Sequence, residues 1–564
     1  MIEVMRAFEA TGDGDALAVS YRKVDGQPFG EALRAEVKRA GKNPWDIQLH
    51  TKTVQAITKG DVLLATLRFR TEWSQEESGE GQAELVFELA RSPYTKSVSH
   101  AIRAAREWRE ISIPFEAAES YAAGEAQLNL RLGFAPQTLE FADVELKNFK
   151  REVLLSELPR TKVTYRGMEP DAAWRSAAEA RIETLRKAEL RLVVKDRAGK
   201  PVVGARVDAK LSKQAFGFGT CVPAASLLEA GHEREQQVIR ELFNLATLEN
   251  DLKWQPLAGD WGGNFTLARA QAGVSWLSGH GLDVRGHVLV WPGWKNLPKS
   301  LRALEHDPPK LRAEVKRHVR ELTAAMKGRL SHWDVVNEPF DNHDLFDLLG
   351  PEVMVEWFKV ARAADPVAKL FINDYAILSG GGGTTPHRDA YEQFIRLLVE
   401  KGAPFDGIGM QGHFGSSLTA PEDLLAILDR FAQFKKQIFV TEFDIVLDDE
   451  ELAGRYSKDF YTTLFSHPAV GGIVMWGFWD GSHWKKNAPM YRADWSEKPA
   501  GQAIRELIQR TWHTDASGET DAQGAFTTRG FLGDYAIAVS LGEKQKSVTA
   551  KLQAKGREVA VTLD

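Results

Sequence analysis

The 564-residue sequence has little cysteine, no surplus of positive charge and no long apolar run, and each shortage excludes a class of protein. A single cysteine, Cys221, cannot form an intrachain disulfide, so a small disulfide-stabilised scaffold is excluded and the fold must rest on burial. The 72 Lys and Arg residues are outnumbered by 78 Asp and Glu residues, which argues against a nucleic-acid partner. No stretch approaches the ~18 uninterrupted apolar residues of a membrane-spanning helix.

Apolar residues and tryptophan, by contrast, are plentiful. Hydrophobic residues make up 43% of the chain and charged residues 27%, close to globular averages, so we expect several domains or one large barrel with attachments. The sequence has 16 tryptophans, several of them beside Gly, Asn and Asp. This combination suits sugar binding, because aromatic faces stack on the C–H patches of sugar rings while polar neighbours bond the hydroxyls.

Residues 1–14 lack the apolar core of a signal peptide. We therefore expect either an extracellular or periplasmic protein whose signal peptide has been removed, or a cytoplasmic protein.

The first 150 residues are predicted to form a β-sandwich. The runs 62–69, 83–89 and 127–132 alternate apolar and polar residues, and Gly, Pro and Asp separate such runs. The following linker, 151–189, contains a stretch at 171–187 that is rich in Ala, Glu and Arg and lacks Gly and Pro, which predicts a helix.

Between residues 214 and 511, short apolar strands alternate with longer amphipathic helices. Eight such units in about 300 residues predict a (β/α)8, or TIM, barrel, whose functional residues lie at the C-terminal ends of the strands. The predicted strands are 216–221, 245–249, 284–291, 332–338, 369–374, 407–413, 437–444 and 472–476.

The segments 190–213 and 512–564, which flank the barrel, are predicted to pack together as one small β-sandwich into which the barrel is inserted. The first segment has the pattern of a hairpin with a turn at 196–200, and a two-stranded hairpin alone is marginally stable. Its D-x-x-G-x-P-V-x-G-A-x-V string resembles the carboxypeptidase-regulatory-like β-sandwich. The alternative is two separate appendages on the barrel surface.

Two glutamates end the fourth and seventh predicted barrel strands, in WDVVNE at 333–338 and TEFD at 441–444. Both carboxyls are therefore expected at one mouth of the barrel. Retaining glycoside hydrolysis requires such a pair, about 5 to 5.5 Å apart, because one carboxyl protonates the leaving oxygen while the other attacks the anomeric carbon. Either glutamate taken alone is equally typical of a structural salt bridge.

Further polar and aromatic strings follow the other strands: ENDLKW at 249–254, RGHVLVW at 285–291, QGH at 411–413 and WGFWDGSHW at 476–484. In this order, and together with the two glutamate motifs, residues 214–511 resemble glycoside hydrolase family 10, the endo-β-1,4-xylanase family. The resemblance implies a retaining, endo-acting enzyme that cleaves β-1,4-xylan through a covalent glycosyl-enzyme, with no metal or cofactor. We expect a monomer.

The same resemblance implies roles for individual residues. Glu338 would be the general acid/base and Glu442 the nucleophile, which His413 and Asp444 would orient. The residues implied to contact the sugar are Glu249, Asn250, Lys253, His287, Trp291, Asn337, Tyr375, Gln411, His413, Trp476 and Trp484.

The sequence departs from the family after Trp291. A histidine and, two residues on, a glutamine are common there, but Pro292, Gly293 and Trp294 follow instead. We interpret Trp294 as an aromatic platform that replaces a polar sugar ligand. The exact glycan therefore stays open, and a substituted hemicellulose or a β-glucan is an alternative substrate. A non-catalytic glycan-binding protein is a further alternative.

The N-terminal β-sandwich resembles the carbohydrate-binding modules attached to such barrels, chiefly in its Pro44-Trp45-Asp46 string. Core packing is the alternative for any one aromatic residue, and a module that has lost binding is the alternative for the whole. The aromatic candidates for a sugar platform are Trp45, Trp73, Tyr94, Trp108 and Tyr121.

Overall fold

A computed structural model describes residues 5–12 and 14–564 of the chain. The stretch 1–14, considered above for a signal sequence, therefore lies partly outside the described residues. The chain divides into two compact units. The first unit consists of Met1–Tyr165 with two short segments, Ser379–Thr385 and Phe414–Thr419. The second unit consists of Arg166–Leu378, Pro386–His413 and Ala420–Asp564.

The first unit contains two five-stranded antiparallel sheets, which we name sheet A and sheet B. In spatial order, the strands of sheet A are Glu9–Thr11, Gln48–Lys52, Ala126–Arg131, Gly81–Leu89 and Lys96–Ala104. Those of sheet B are Leu17–Lys23, Glu31–Val37, Gln137–Asn148, Val62–Ser74 and Arg109–Glu116. Short 3-10 helices are Met5–Ala7, Pro44–Asp46 and Leu155–Glu157.

The core of the first unit is formed by apolar side chains that both sheets contribute, among them Phe69 and Phe141 of sheet B and Phe87 of sheet A. Along Ala126–Arg131, every second side chain enters this core, and the alternate residues face away from it. The predicted N-terminal β-sandwich is thus confirmed, and the face of sheet A opposite the core carries mainly polar side chains.

Eight parallel strands in the second unit close into a barrel, as predicted. They are Gly217–Val222, Leu245–Leu248, Asp283–Gly286, His332–Asn337, Lys369–Asp374, Gly407–Phe414, Gln437–Ile445 and Val470–Met475. Their C-terminal ends carry the residues considered in the next section.

The third barrel strand is shorter than predicted, because it ends at Gly286 and not at Trp291. The apolar run after it keeps backbone hydrogen bonds to strand four, from Leu289 N to Asp334 O and from Val290 N to Val335 O, each 3.0 Å long. Regular pairing nevertheless gives way to an isolated bridge between Val290 and Val336. The apolar composition of this run reflects its burial and not membership of a strand.

Helices connect the barrel strands. They are Ala224–Leu228, Glu233–Leu242, Trp254–Leu257, Leu267–Gly279, Pro308–Ala325, Asp344–Leu349, Val353–Ala364, Pro386–Glu400, Pro421–Ala432, Glu450–Phe465 and Pro499–Glu506, with 3-10 turns at Lys299–Leu304 and Gly380–Gly382 and a π-helical turn at Leu507–Thr511. The helix predicted in the linker is Ala173–Leu185.

Pro308–Ala325 illustrates why these segments are helical. The side chain of Asp307 caps the first turn by accepting a hydrogen bond from Lys310 N, and the prolines stand where no helical N–H is needed. Leu311, Val315 and Leu322 recur at helical spacing and are buried.

Segments on both sides of the barrel form one small β-sandwich, and the alternative of two separate appendages is excluded. One sheet contains Ala525–Phe531, Lys187–Lys195 and Arg557–Thr562. The other contains Asp515–Glu519, Arg206–Gln214, Gly533–Leu541 and Lys544–Leu552.

The prediction of a hairpin within residues 190–213, before the barrel, is wrong. Lys187–Lys195 and Arg206–Gln214 lie in different sheets, and each pairs with strands that follow the barrel. The turn at 196–200 is present, with a hydrogen bond from Asp196 N to Lys200 O. Pairing partners hundreds of residues away override the local hairpin pattern, because they allow both strands to bury their apolar faces in one core.

Among the described residues, none of the helices combines the length and apolar character needed to cross a bilayer.

Candidate active site

Glu338 and Glu442 are both buried at the C-terminal end of the barrel. Glu338 directly follows strand four in a left-handed backbone conformation, with φ 52°, and is 7% exposed. Glu442 lies within strand seven and is 4% exposed. Their positions at strand ends place both carboxyls where a barrel binds its ligand.

Within the described part of the chain, N–H donors of several side chains hold the carboxyl group of Glu338. Its Oε2 accepts hydrogen bonds from Trp291 Nε1 and Asn342 Nδ2, both at 3.1 Å. Its Oε1 accepts from Gln411 Nε2 at 3.0 Å and from Asn337 Nδ2 at 3.2 Å. Because these donors come from different strand ends and loops, the direction of the carboxyl is fixed by tertiary contacts.

Two asparagines connect the two glutamates. Asn373 Nδ2 donates to Glu442 Oε1 at 2.9 Å and to Asn337 Oδ1 at 2.8 Å, while the other end of the Asn337 amide donates to Glu338. The hydroxyl of Thr441 donates to Asn373 Oδ1 at 2.6 Å, which fixes the orientation of that amide. Both carboxyls therefore face one polar network.

The structure places His413 between Glu442 and Asp444. Its Nε2 lies 3.4 Å from Glu442 Oε2, and its Nδ1 lies 3.0 Å from Asp444 Oδ2. Burial by itself lowers the pKa of His413, but the charges and hydrogen bonds of Asp444 and Glu442 outweigh burial and raise this pKa to about 10. Burial opposes ionisation of Asp444 as well, and the imidazolium holds its pKa well below the usual range.

Aromatic rings surround these charges. Trp484 Nε1 donates to Asp444 Oδ2 at 2.8 Å, and its ring meets that of His413 edge-on at 5.1 Å between centroids. Trp476 is buried and meets the ring of His287 edge-on at 5.2 Å. His287 Nδ1 in turn lies 3.0 Å from Asp334 Oδ2.

Three predicted sugar ligands follow strand two. Lys253 Nζ donates to Asn250 Oδ1 at 2.8 Å and lies 5.3 Å from the centroid of the Trp291 ring. Burial raises the pKa of Glu249, and the nearby charge of Lys253 opposes this rise. Lys253 therefore lies beside Trp291, whose indole N–H donates to Glu338.

Tyr375 and Trp294, both predicted to contact sugar, each have a partner within the protein. Tyr375 is 5% exposed, and its hydroxyl donates to Asp341. The guanidinium of Arg302 lies 4.6 Å from the centroid of the Trp294 ring. Arg302 thus packs against the Trp294 ring, and the role of this ring as an aromatic platform stays a prediction.

Asn342 and Asn373 were missed as site residues in the sequence. The position of Asn373 at the end of strand five was a usable signal. Asn342 had none, because it belongs to the loop after Glu338, and Asn296 Nδ2 fixes its amide by donating to its Oδ1 at 2.8 Å. A Cβ on Gly293 would lie 2.6 Å from the same oxygen, so this glycine leaves room for Asn342.

Within the described residues, no three His, Cys, Asp or Glu side chains come together as a metal site requires.

Comparison with known proteins gives one family and several relatives. The family model of glycosyl hydrolase family 10 matches residues 208–507, more than half of the chain. Anti-sigma-I factor RsgI6 of Acetivibrio thermocellus is 34% identical over 374 residues, which is 66% of this chain and 47% of that protein. Endo-1,4-beta-xylanase 1 of Arabidopsis thaliana is 30% identical over 337 residues, 60% of this chain and 34% of that protein. This chain therefore spans less than half the length of either relative.

A similar solved structure is that of xylanase 10B from Thermotoga petrophila in complex with xylobiose. It is 26% identical and covers 53% of this chain and 95% of its own, with a TM-score of 0.48.

The charge on His413 predicts how stability depends on pH. The folded-state pKa of about 10 lies above the unfolded value of about 6.5, so the stabilisation is complete below about pH 6.5 and is lost as pH rises through 10. We compare the free energy of unfolding of the wild type with that of His413→Gln by denaturant titration. Their difference is expected to shrink by about 3 to 4 kcal/mol between pH 7 and pH 10.

The matched control is His306→Gln, which changes an exposed histidine. It should leave the pH dependence of unfolding unaltered. A difference between wild type and His413→Gln that stays constant over this pH range would show that His413 is neutral in the folded protein.

Proposed function

We propose, because this chain belongs to glycosyl hydrolase family 10, that it is a retaining endo-acting glycoside hydrolase that cleaves β-1,4-xylan. One observation carries the proposal: two buried glutamates, from strands four and seven of the barrel, share a single network, one held by neutral amide and indole donors and the other beside an imidazolium. The relative named as an endo-1,4-beta-xylanase supports the substrate.

Glu442 is the nucleophile in this proposal. Asn373 and His413 each hold one of its oxygens, so the side chain is aimed and its negative charge is stabilised. The carboxylate attacks the anomeric carbon, and the glycosidic C–O bond breaks as the ester bond to Glu442 forms. His413 is protonated while Glu442 is ionised, and its role is to hold the Glu442 carboxylate.

Glu338 is the proton donor and acceptor. It gives its proton to the leaving oxygen in the first step, and in the second step it takes a proton from the water that breaks the ester. Asn337, which bonds both Glu338 and Asn373, is placed to contact the sugar hydroxyl between the two carboxyls. The second step regenerates both glutamates, so no co-reactant other than water is consumed.

Substitution of the two glutamates separates their roles. Glu442→Ala is expected to abolish turnover of every substrate. Glu338→Ala is expected to slow hydrolysis of xylan by about 10²- to 10⁴-fold, yet to spare the first step with aryl glycosides whose leaving group needs no proton. Burst kinetics with an activated aryl xylobioside measure that step. Equal loss on both substrate types would contradict the assignment of Glu338.

Asn342→Ala should resemble a mild form of Glu338→Ala, because it removes one of the donors that aim the Glu338 carboxyl. We expect kcat on xylan to fall about tenfold, with a smaller fall on activated aryl glycosides. His343→Ala, at the exposed neighbouring residue, is the control and should change neither rate. A loss that is independent of the leaving group would show that Asn342 does not act through Glu338.

We also propose that the first unit binds sugar on the polar face of sheet A. Glu84, Glu88, Gln127, Asn129 and Arg131 lie on this face, opposite the core. Asn129 and Glu88 are almost fully buried there. Asn129 Oδ1 and Arg131 Nε have no hydrogen-bond partner within residues 5–12 and 14–564. Buried polar atoms of this kind suit a hydroxyl-rich ligand.

Of the five aromatic candidates in this unit, Trp45 best fits such a face. It is 50% exposed, and the guanidinium of Arg131 lies 5.4 Å from the centroid of its ring. Tyr121 is buried in the core, and Trp108 packs against Phe29. Trp73 is exposed but belongs to sheet B, and Tyr94 is exposed in the loop between two strands of sheet A.

Trp45→Ala and Asn129→Ala are therefore expected to weaken binding of the full chain to insoluble xylan about tenfold, without changing turnover of a soluble aryl xylobioside. Pull-down on insoluble xylan measures the first effect and a colorimetric assay the second. Trp73→Ala, on the other sheet, is the matched control. Unchanged binding in both variants would refute the site.

A further inference from the structure

We infer that Trp261 forms an additional sugar subsite in the second unit, which takes a β-linked sugar ring on the glycone side, further from the cleaved bond than the ring beside Trp291. This inference rests on the proposed function. It concerns a residue to which neither the sequence motifs nor the hydrogen-bond network of the two glutamates gives a role.

Trp261 is exposed but held in place. It lies in the loop between the helices Trp254–Leu257 and Leu267–Gly279 and is 49% exposed. Its indole Nε1 donates to Gln255 Oε1 at 3.0 Å, and its ring meets that of Phe265 edge-on at 5.9 Å. Because the ring has contacts at its N–H edge and with Phe265, it presents aromatic surface to solvent at little cost in conformational entropy.

The loop that carries Trp261 is anchored as well. Lys299 N donates to Asp260 Oδ2 at 2.8 Å, which joins the loop to the segment after strand three. Gly259 and Gly262 have φ values of 90° and 97°, which only glycine adopts readily, so the chain turns sharply on either side of Trp261. The exposed ring is therefore a feature of a defined loop conformation.

Trp261 lines a small cleft together with residues that belong to the surroundings of Glu338. Lys253, Gln255, Trp291 and Asn296 line this cleft together with Trp261. Trp291 donates to Glu338, and Asn296 donates to Asn342, which also holds Glu338. Trp291 and Asn296 thus link the wall of this cleft to the residues that hold Glu338.

The chemical groups that line this cleft indicate which kind of ligand it binds. An ammonium group and two amides lie beside an exposed indole, and this combination fits a sugar ring, with hydroxyls at its edge and C–H groups on its face. Among the described residues of the second unit, the two most exposed tryptophans are Trp261, at 49%, and Trp484, at 38%. Trp484 holds Asp444, so Trp261 is the one left without a role in the network.

The test compares substrates of different length. For Trp261→Ala we expect kcat/KM on xylohexaose to fall about 5- to 10-fold, while kcat/KM on an aryl β-xylobioside stays within about twofold, because a disaccharide is too short to reach the subsite. Trp261→Phe keeps an aromatic face and should recover most of the loss. Trp73→Ala, which removes an exposed tryptophan of the first unit, is the matched control.

Two outcomes would overturn the subsite. An equal fall on both substrates would make Trp261 a structural anchor of its loop, and no fall on xylohexaose would show that the ring contacts no sugar. Failure of the proposed function is recognised separately, as a wild type that turns over neither substrate. In that case, calorimetric titration with xylohexaose and with cellohexaose measures the affinity of the wild type and of Trp261→Ala for each sugar. Equal affinity of the two proteins, or no binding by either, would refute the subsite.

Discussion

The positive charge of His413 between Glu442 and Asp444 is the interaction on which the rest of the active site depends. Burial alone would remove the proton from this imidazole, and the two carboxylates reverse that tendency. The imidazolium in turn stabilises the buried carboxylates of Glu442 and Asp444, which lie two residues apart on strand seven. Removing His413 would leave two buried carboxylates without a compensating charge, which costs several kcal/mol.

Neutral amides, and not further charges, join the two glutamates. Asn337, Asn342, Asn373 and Gln411 each donate to a glutamate or to an amide that does. An amide donor fixes the direction of a carboxyl without the strong Coulombic attraction of an ion pair. In the proposed mechanism, Glu338 thus exchanges a proton and Glu442 a covalent bond while these contacts keep both side chains in position.

Tryptophan has several distinct structural roles in this protein, and its abundance alone does not separate them. Trp291 and Trp484 use their indole N–H groups to hold Glu338 and Asp444. Trp479 and Trp495 stack on each other at 4.4 Å. Trp45 and Trp261 keep about half of their surface exposed and are the two that we propose to contact sugar. Only burial and hydrogen-bond partners distinguish these roles.

Sequence by itself determined the order of strands and helices and the placement of Glu338, Glu442, His413 and Asp444 at strand ends, because periodicity and strand spacing are properties of neighbouring residues. Tertiary structure alone decided that 187–195 and 206–214 occupy different sheets, that Asn342 bonds Glu338, and that Tyr375 and Trp294 turn to protein partners. Each of these depends on residues brought together from distant parts of the chain, where competing contacts and burial outweigh local preference.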